Sequence, residues 1–193
     1  MEATTRTPLA LADQRRLLEI ARGAIEVAVC AETSPSFNES TLAPALLEPS
    51  AAFVTLHIGG MLRGCIGLMR FDVPLGINVR DAAVAAALQD PRFPPVTSAE
   101  VPTLEIEVSV LEPPVELLDL TGFEAGRHGI VVERGAYRAL LLPQVATEMG
   151  WGPAQMLDAV CRKAGLPGDA WRDRGTRLLV FESSCFSEAT AST

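Results

Sequence analysis

The sequence predicts an α+β fold, a mainly antiparallel sheet flanked by helices. Three observations carry that reading. A β-rich run, Ala52 to Ile58, meets a second run across Gly59-Gly60, the pattern of a hairpin whose turn needs positive φ. Leu104 to Leu111 alternates cleanly, with Leu104, Ile106, Val108 and Val110 on one face and Glu105, Glu107 and Ser109 on the other, as in a strand with one buried face. Apolar stripes at helical spacing flank these runs with few strict strand–helix–strand units, which favours an antiparallel sheet.

In chain order, residues before Pro8 are polar and expected to be loose. Thr7-Pro8 is a helix start, with Thr as N-cap and Pro in the first helical position. Leu17, Ala21, Ala24, Ile25 and Ala28 form an apolar stripe, so the first helix is predicted over Pro8 to Ala31, with Cys30 packing near its end. Thr33 to Ser50 reads as a loop with a short apolar piece at Leu42 to Leu47. After the hairpin at Ala52 to Ile66 and a turn at Phe71 to Pro74, Leu75 to Leu88 is a second helix. Its small residues predict close packing on a sheet, and Asp90-Pro91 ends it. Beyond Pro113-Pro114, Gly126 to Gly129 is a turn holding His128. Ile130–Glu133 and Tyr137–Leu142 form a hairpin around Arg134-Gly135. Pro143 to Met149 is a short helix closed by Gly150. Met156, Leu157, Val160, Cys161 and Ala164 mark another helix, and Arg177 to Phe186 is a final strand. A single domain is expected over residues 8–188, with 1–7 and 189–193 as loose termini.

Length and composition narrow the function. A chain of 193 residues suits one domain with room for a small subdomain. The formal net charge of −8 argues against nucleic acid as a partner and against an anionic membrane surface. Local basic spots remain at Arg63, Arg70, Arg80 and Arg92. Four cysteines without C-x-x-C spacing and two histidines leave no zinc pattern, so no metal and no cofactor is expected. Free thiols, no leader-like N-terminus and no apolar run of membrane-span length predict a cytoplasmic protein. No phosphate-binding glycine loop and no G-x-S-x-G elbow is present.

Leu62-Arg63-Gly64-Cys65-Ile66-Gly67 draws attention for chemistry. With Gly59-Gly60 as a two-residue loop, Leu56 pairs with Arg63 and Val54 with Cys65. Arg63 and Cys65 then share one face, and Leu62 and Ile66 the other. Gly64 and Gly67 clear space on either side of the thiol, and the nearby guanidinium can favour a thiolate. Cys65 is equally readable as a small buried hydrophobe with strand glycines that serve packing. Arg92, between Pro91 and Pro94-Pro95, sits in a stiffened loop suited to holding a ligand or to plugging the core with Phe93. Glu105 and Glu107 are either acid–base carboxylates or a solvated face. In the regular register His57 points away from Cys65, about 10 Å along the ladder. His128, in a glycine-flanked turn, is the remaining candidate base.

The block LRGCIG resembles the signature of the AMMECR domain family, the AmmeMemoRadiSam system protein A. DPRFPPV at Asp90 to Val96, LEIEVSVLEPP at Leu104 to Pro114, GRHGIVVE at Gly126 to Glu133, LLLPQVATEMGW at Leu140 to Trp151 and KAGL at Lys163 to Leu166 resemble family blocks in the same order. The resemblance runs from about Leu17 to Glu188. It implies a larger sheet-and-helix part, a smaller β-containing subdomain and a cleft between them near LRGCIG. It also implies Memo-like and radical S-adenosylmethionine companions, and no established reaction. Two functions follow. One is a component that binds a small polar or anionic ligand through Arg63, Gly64, Cys65, Arg92, Glu105 and Glu107. The other is a cysteine-dependent enzyme using Cys65 with His128 or Glu107 as proton carrier.

Overall fold

A computed structural model describes residues 8–30 and 38–191. The Thr7 cap, the loose segment expected at 1–7 and the last two residues of the one expected at 189–193 lie outside the described residues, while 189–191 continue a helical turn from Glu188. The chain divides into two compact units, one running to Leu111 and resuming at Ser184, the other Glu112–Ser183.

The first unit begins with α1, Leu11–Cys30, three residues later than its prolyl start predicts. Leu17, Leu18, Ile20, Ala21 and Ile25 form its buried stripe. A 3₁₀ turn at Glu39–Thr41 and the short α2, Pro44–Leu47, occupy the predicted loop. Strands β1, Ala51–Ile58, and β2, Met61–Leu68, make the hairpin. Gly59 and Gly60 both adopt positive φ at its turn. Helix α3, Leu75–Leu88, lies against both strands, its alanines Ala82, Ala83, Ala86 and Ala87 all buried. After a 3₁₀ turn at Val101–Thr103 comes β3, Glu105–Leu111. The sheet is completed by a strand near the C-terminus, Ser183–Ser187, which pairs beside β3.

In the second unit, β4 (Val115–Glu116), β5 (Gly129–Arg134), β6 (Tyr137–Leu141) and β7 (Arg177–Phe181) form a sheet of order β4-β7-β5-β6. Helix α4, Pro143–Met149, ends on Gly150 at φ +64°. Helix α5, Pro153–Lys163, buries Met156, Leu157, Val160 and Cys161 in the core of this unit. The predicted single strand Arg177 to Phe186 is two strands. It breaks at Glu182, so that β7 serves this sheet while Ser183–Ser187 is β8 of the first sheet, whose order is β2-β1-β3-β8. Arg177–Phe181 is apolar and Ser183–Ser187 is mostly serine, so the polar run Glu182-Ser183-Ser184 is the one mark of the change of sheet in the sequence.

The C-terminal end of the first unit is anchored. Glu188 opens the helical turn α6, Glu188–Ala191. Its carboxylate accepts two bonds from Arg22 at 2.6 Å and one from the Ile106 amide at 3.1 Å. Arg22 also donates to the Leu104 carbonyl at 2.7 Å. Burial and charge here tie the first helix, β3 and the chain end together.

Candidate functional site

The hairpin register decides what LRGCIG does. Ile58 faces Met61 and His57 faces Leu62, as two-residue closure dictates, but Leu56 then faces Gly64, not Arg63. Arg63 is an extra residue, a β-bulge, and every later pair shifts by one. Cys65 faces Thr55, and Ile66 faces Val54. The expected pairs Leu56–Arg63 and Val54–Cys65 are corrected by this shift. So is the grouping of Leu62 with Ile66. Leu62 sits opposite His57, whereas Ile66 packs against the core beside Val54. In the regular register the thiol would have pointed into the core at Val54, which is fully buried.

The glycines explain why the bulge is needed. A Cβ on Gly64 would lie 2.2 Å from the Ala86 carbonyl oxygen of α3. Gly64 must therefore be the residue on the helix side, which puts Cys65 on the opposite face. A Cβ on Gly67 would enter the Phe53 ring, which lies flat over that position. Both glycines serve close approach, in agreement with the sequence reading.

On the face away from α3, cross-strand rows run Cys65–Thr55–Glu107 and Leu62–His57–Glu105. The Thr55 hydroxyl donates to the Cys65 sulfur at 3.3 Å. The thiol is partly exposed and free. His57 shares this face with Cys65, a correction of the expectation that it points away. The bulge adds a residue on β2 without adding one on β1, which moves Cys65 from the face of Val54 to the face of Thr55 and His57. Among the described residues, the side chains of His57, Glu105 and Glu107 have no hydrogen-bond or ion-pair partner.

The edge of β2 is held by the predicted stiff loop. Asp90, with a side chain only 2 % exposed, accepts the Cys65 amide at 2.8 Å. Arg92 grips Asp90 through Nη2 at 2.6 Å and Nε at 2.9 Å, and gives a further Nη2 bond to the Cys65 carbonyl at 3.3 Å. Two side chains thus occupy the donor and acceptor of Cys65 as a neighbouring strand would, closing an open edge. The Arg92 guanidinium, with the Cys65 and Arg92 amides adding to it against the cost of burial, holds the Asp90 carboxyl well below the usual carboxylate range. Asp90 in turn raises the pKa of Arg92, with a smaller contribution from the nearby Cys65 thiol. Arg92 also stacks its guanidinium on Phe93, 5.5 Å from the ring centroid.

Arg63, expected beside the thiol, is committed elsewhere. It pairs with Glu100 through two bonds of 2.8 and 3.1 Å and donates to the carbonyls of Pro94 and Pro95. Its pairing, joined by the Thr97 amide and hydroxyl, lowers the Glu100 carboxyl to about 2. Neither arginine binds Glu105 or Glu107. The guanidinium near the sulfur is Arg92.

His128 belongs to the second unit. Its Nδ1 accepts the Glu124 amide at 3.1 Å, its ring stacks on buried Phe123, and its Nε2 lies 3.8 Å from a Glu182 oxygen. Among the described residues, no group of three or more His, Cys, Asp or Glu is placed to hold a metal ion. No described helix is long and apolar enough to cross a membrane. Sequence reasoning missed Thr55, Asp90 and Glu100. Asp90 carried a signal, an acid directly before proline in the block that also holds Arg92. Thr55 and Glu100 carried none, because their partners are set by the bulge and by a turn.

A two-sheet α+β chain with a bulged, edge-clasped L-R-G-C-I-G strand defines a recognisable class. The chain belongs to the AMMECR1 family, whose family model matches residues 18–186. It is similar to protein MJ0810 of Methanocaldococcus jannaschii, 43 % identical over 150 residues that cover 73 % of this chain and 74 % of that protein. A protein of Methanothermobacter thermautotrophicus is 41 % identical over 188 residues, 94 % of this chain and 97 % of the relative. The crystal structure of the uncharacterized protein PH0010 from Pyrococcus horikoshii has a similar fold, with a TM-score of 0.86 at 37 % identity and 94 % of each chain covered.

Proposed function

We propose that the chain is a binding component, acting with Memo-like and radical S-adenosylmethionine companions, that receives a small polar ligand on the face centred on Cys65. One observation carries this reading. The bulge at Arg63 turns a thiol that alternation would bury onto a face where Thr55, His57, Glu105 and Glu107 are also displayed. Bulges of this kind commonly re-aim side chains at functional positions. Arg63 and Arg92 are already neutralised by Glu100 and Asp90, so the ligand is polar first. An anionic group on it meets the exposed side of Arg92. Gly64 shapes the floor of the site rather than touching the ligand.

A second reading is cysteine-dependent chemistry, favoured by the Thr55 hydroxyl that supports the sulfur. Here Glu107, in the row of Cys65, or His128 is the proton carrier. Untargeted metabolite profiling of a deletion strain beside a Cys65→Ala strain tests the site. The same metabolites should shift in both. A wild-type profile in the Cys65→Ala strain, with a shifted deletion profile, places the function away from this face.

A further inference from the structure

The second reading leaves the proton acceptor for Cys65 open between His128 and Glu107, and the register points to a different group. We propose that His57 accepts the proton of Cys65 and that Glu105 orients it. This inference rests on the cysteine-dependent reading. Cys65 and His57 stand in adjacent rows of one face, diagonal across the β1–β2 ladder. Diagonal neighbours lie about 7–8 Å apart at Cα, within reach of long side chains. The imidazole has no hydrogen-bond or ion-pair partner among the described residues, the Cys65 sulfur included, so no existing bond has to break for it to turn to the thiol. Its cross-strand neighbour on the far side is Glu105, whose carboxylate is likewise uncommitted. Thiol, imidazole and carboxylate thus follow one another on three adjacent strands, the order in which a nucleophile, its base and the orienting group are arranged.

The step is a proton transfer. The S–H bond of Cys65 breaks, its proton moves to an imidazole nitrogen of His57, and the electron pair stays on sulfur. The resulting thiolate accepts from Thr55 and lies near the Arg92 guanidinium. The imidazolium faces Glu105. His128, held by the Glu124 amide through Nδ1, keeps a place within its own unit.

Iodoacetamide is the probe, and the rate of carbamidomethylation of each cysteine at pH 7 is read by peptide mass spectrometry. In this reaction the sulfur displaces iodide from the reagent carbon. His57→Gln should slow labelling of Cys65 by about tenfold or more, with Cys30 and Cys185 unchanged as internal standards of folding. Glu105→Gln should slow it less. His128→Ala should leave it at the wild-type rate. Equal rates in wild type and His57→Gln overturn the proposal, as does a loss confined to His128→Ala. The assay uses no physiological ligand. A failure here is therefore distinct from a failure of the functional reading, which the metabolite profile of the Cys65→Ala strain reports.

Discussion

The two hairpins of this chain are built from similar sequence and end in different chemistry. In β5–β6 the register is regular from Ile130–Leu141 to Arg134–Tyr137, closed over Gly135-Ala136. The turn lies one residue beyond its predicted centre. In β1–β2 the same kind of glycine closure is followed within two pairs by the bulge at Arg63. The difference lies in what packs behind each strand. A helix carbonyl presses on β2 at Gly64, so the residue without a side chain must face it. The lesson is that a motif's facing can be dictated by the element behind it rather than by alternation along it.

Gly64→Ala is expected to have the largest effect. The new Cβ meets a backbone carbonyl, which cannot swing aside, and the cost is about 3 kcal/mol, read from the midpoint of urea denaturation. Gly135→Ala, in the regular hairpin, meets nothing within 4 Å and suffers only from its φ of +59°. It should cost about 1 kcal/mol. Equal costs for the two would remove the contrast between the hairpins.

Asp90→Asn comes next. It leaves Arg92 without its buried counter-charge and weakens the hold on the Cys65 amide. Because Arg92 is half exposed, the cost is below that of a fully buried pair, about 2 kcal/mol. Amide exchange at Cys65 should accelerate in this variant, while exchange in β5 and β6 stays unchanged.

The pH dependence of the first unit sharpens the comparison further. Glu100 titrates at about 2 in the folded chain against an ordinary 4.5. A depressed carboxylate contributes stability that is present above the ordinary value and lost as pH falls through the folded one. Wild type should therefore lose stability between pH 4.5 and about 2, and Glu100→Gln should lessen that loss, the depressed carboxyls of Asp90 and Asp81 keeping a residual slope. An unchanged acid slope in the variant would show that the Arg63 pair contributes nothing.

The smallest effect is expected at the exposed Arg138, whose partner Glu133 also keeps Arg177. Arg138→Ala should change stability by less than about 0.5 kcal/mol.

Much of this was legible in the sequence. The helical stripes, both hairpins and the alternation of β3 as far as Val108 follow from periodicity, while Ser109, grouped with the exposed glutamates, is buried; Gly64 and Gly67 are readable as sites of close approach. The bulge was not. An arginine at position 63 satisfies regular alternation, and only the contact with α3 rules that register out. The same contact hid the shared face of His57 and Cys65. The split at Glu182 has only a faint mark, the polar run Glu182-Ser183-Ser184, because no glycine or proline separates the two strands. The Asp90–Arg92 clasp is half visible, since the proline-stiffened loop marks Arg92 for a ligand or a packing role, whereas Arg92 holds the backbone of Cys65.

The central claim is that Cys65 faces Thr55 and not Val54. Nuclear Overhauser contacts from the Cys65 β-protons test it directly. The account predicts strong contacts to the Thr55 methyl and none to the Val54 methyls. Contacts from Cys65 to Val54 and Ala86, with Thr55 silent, would contradict it.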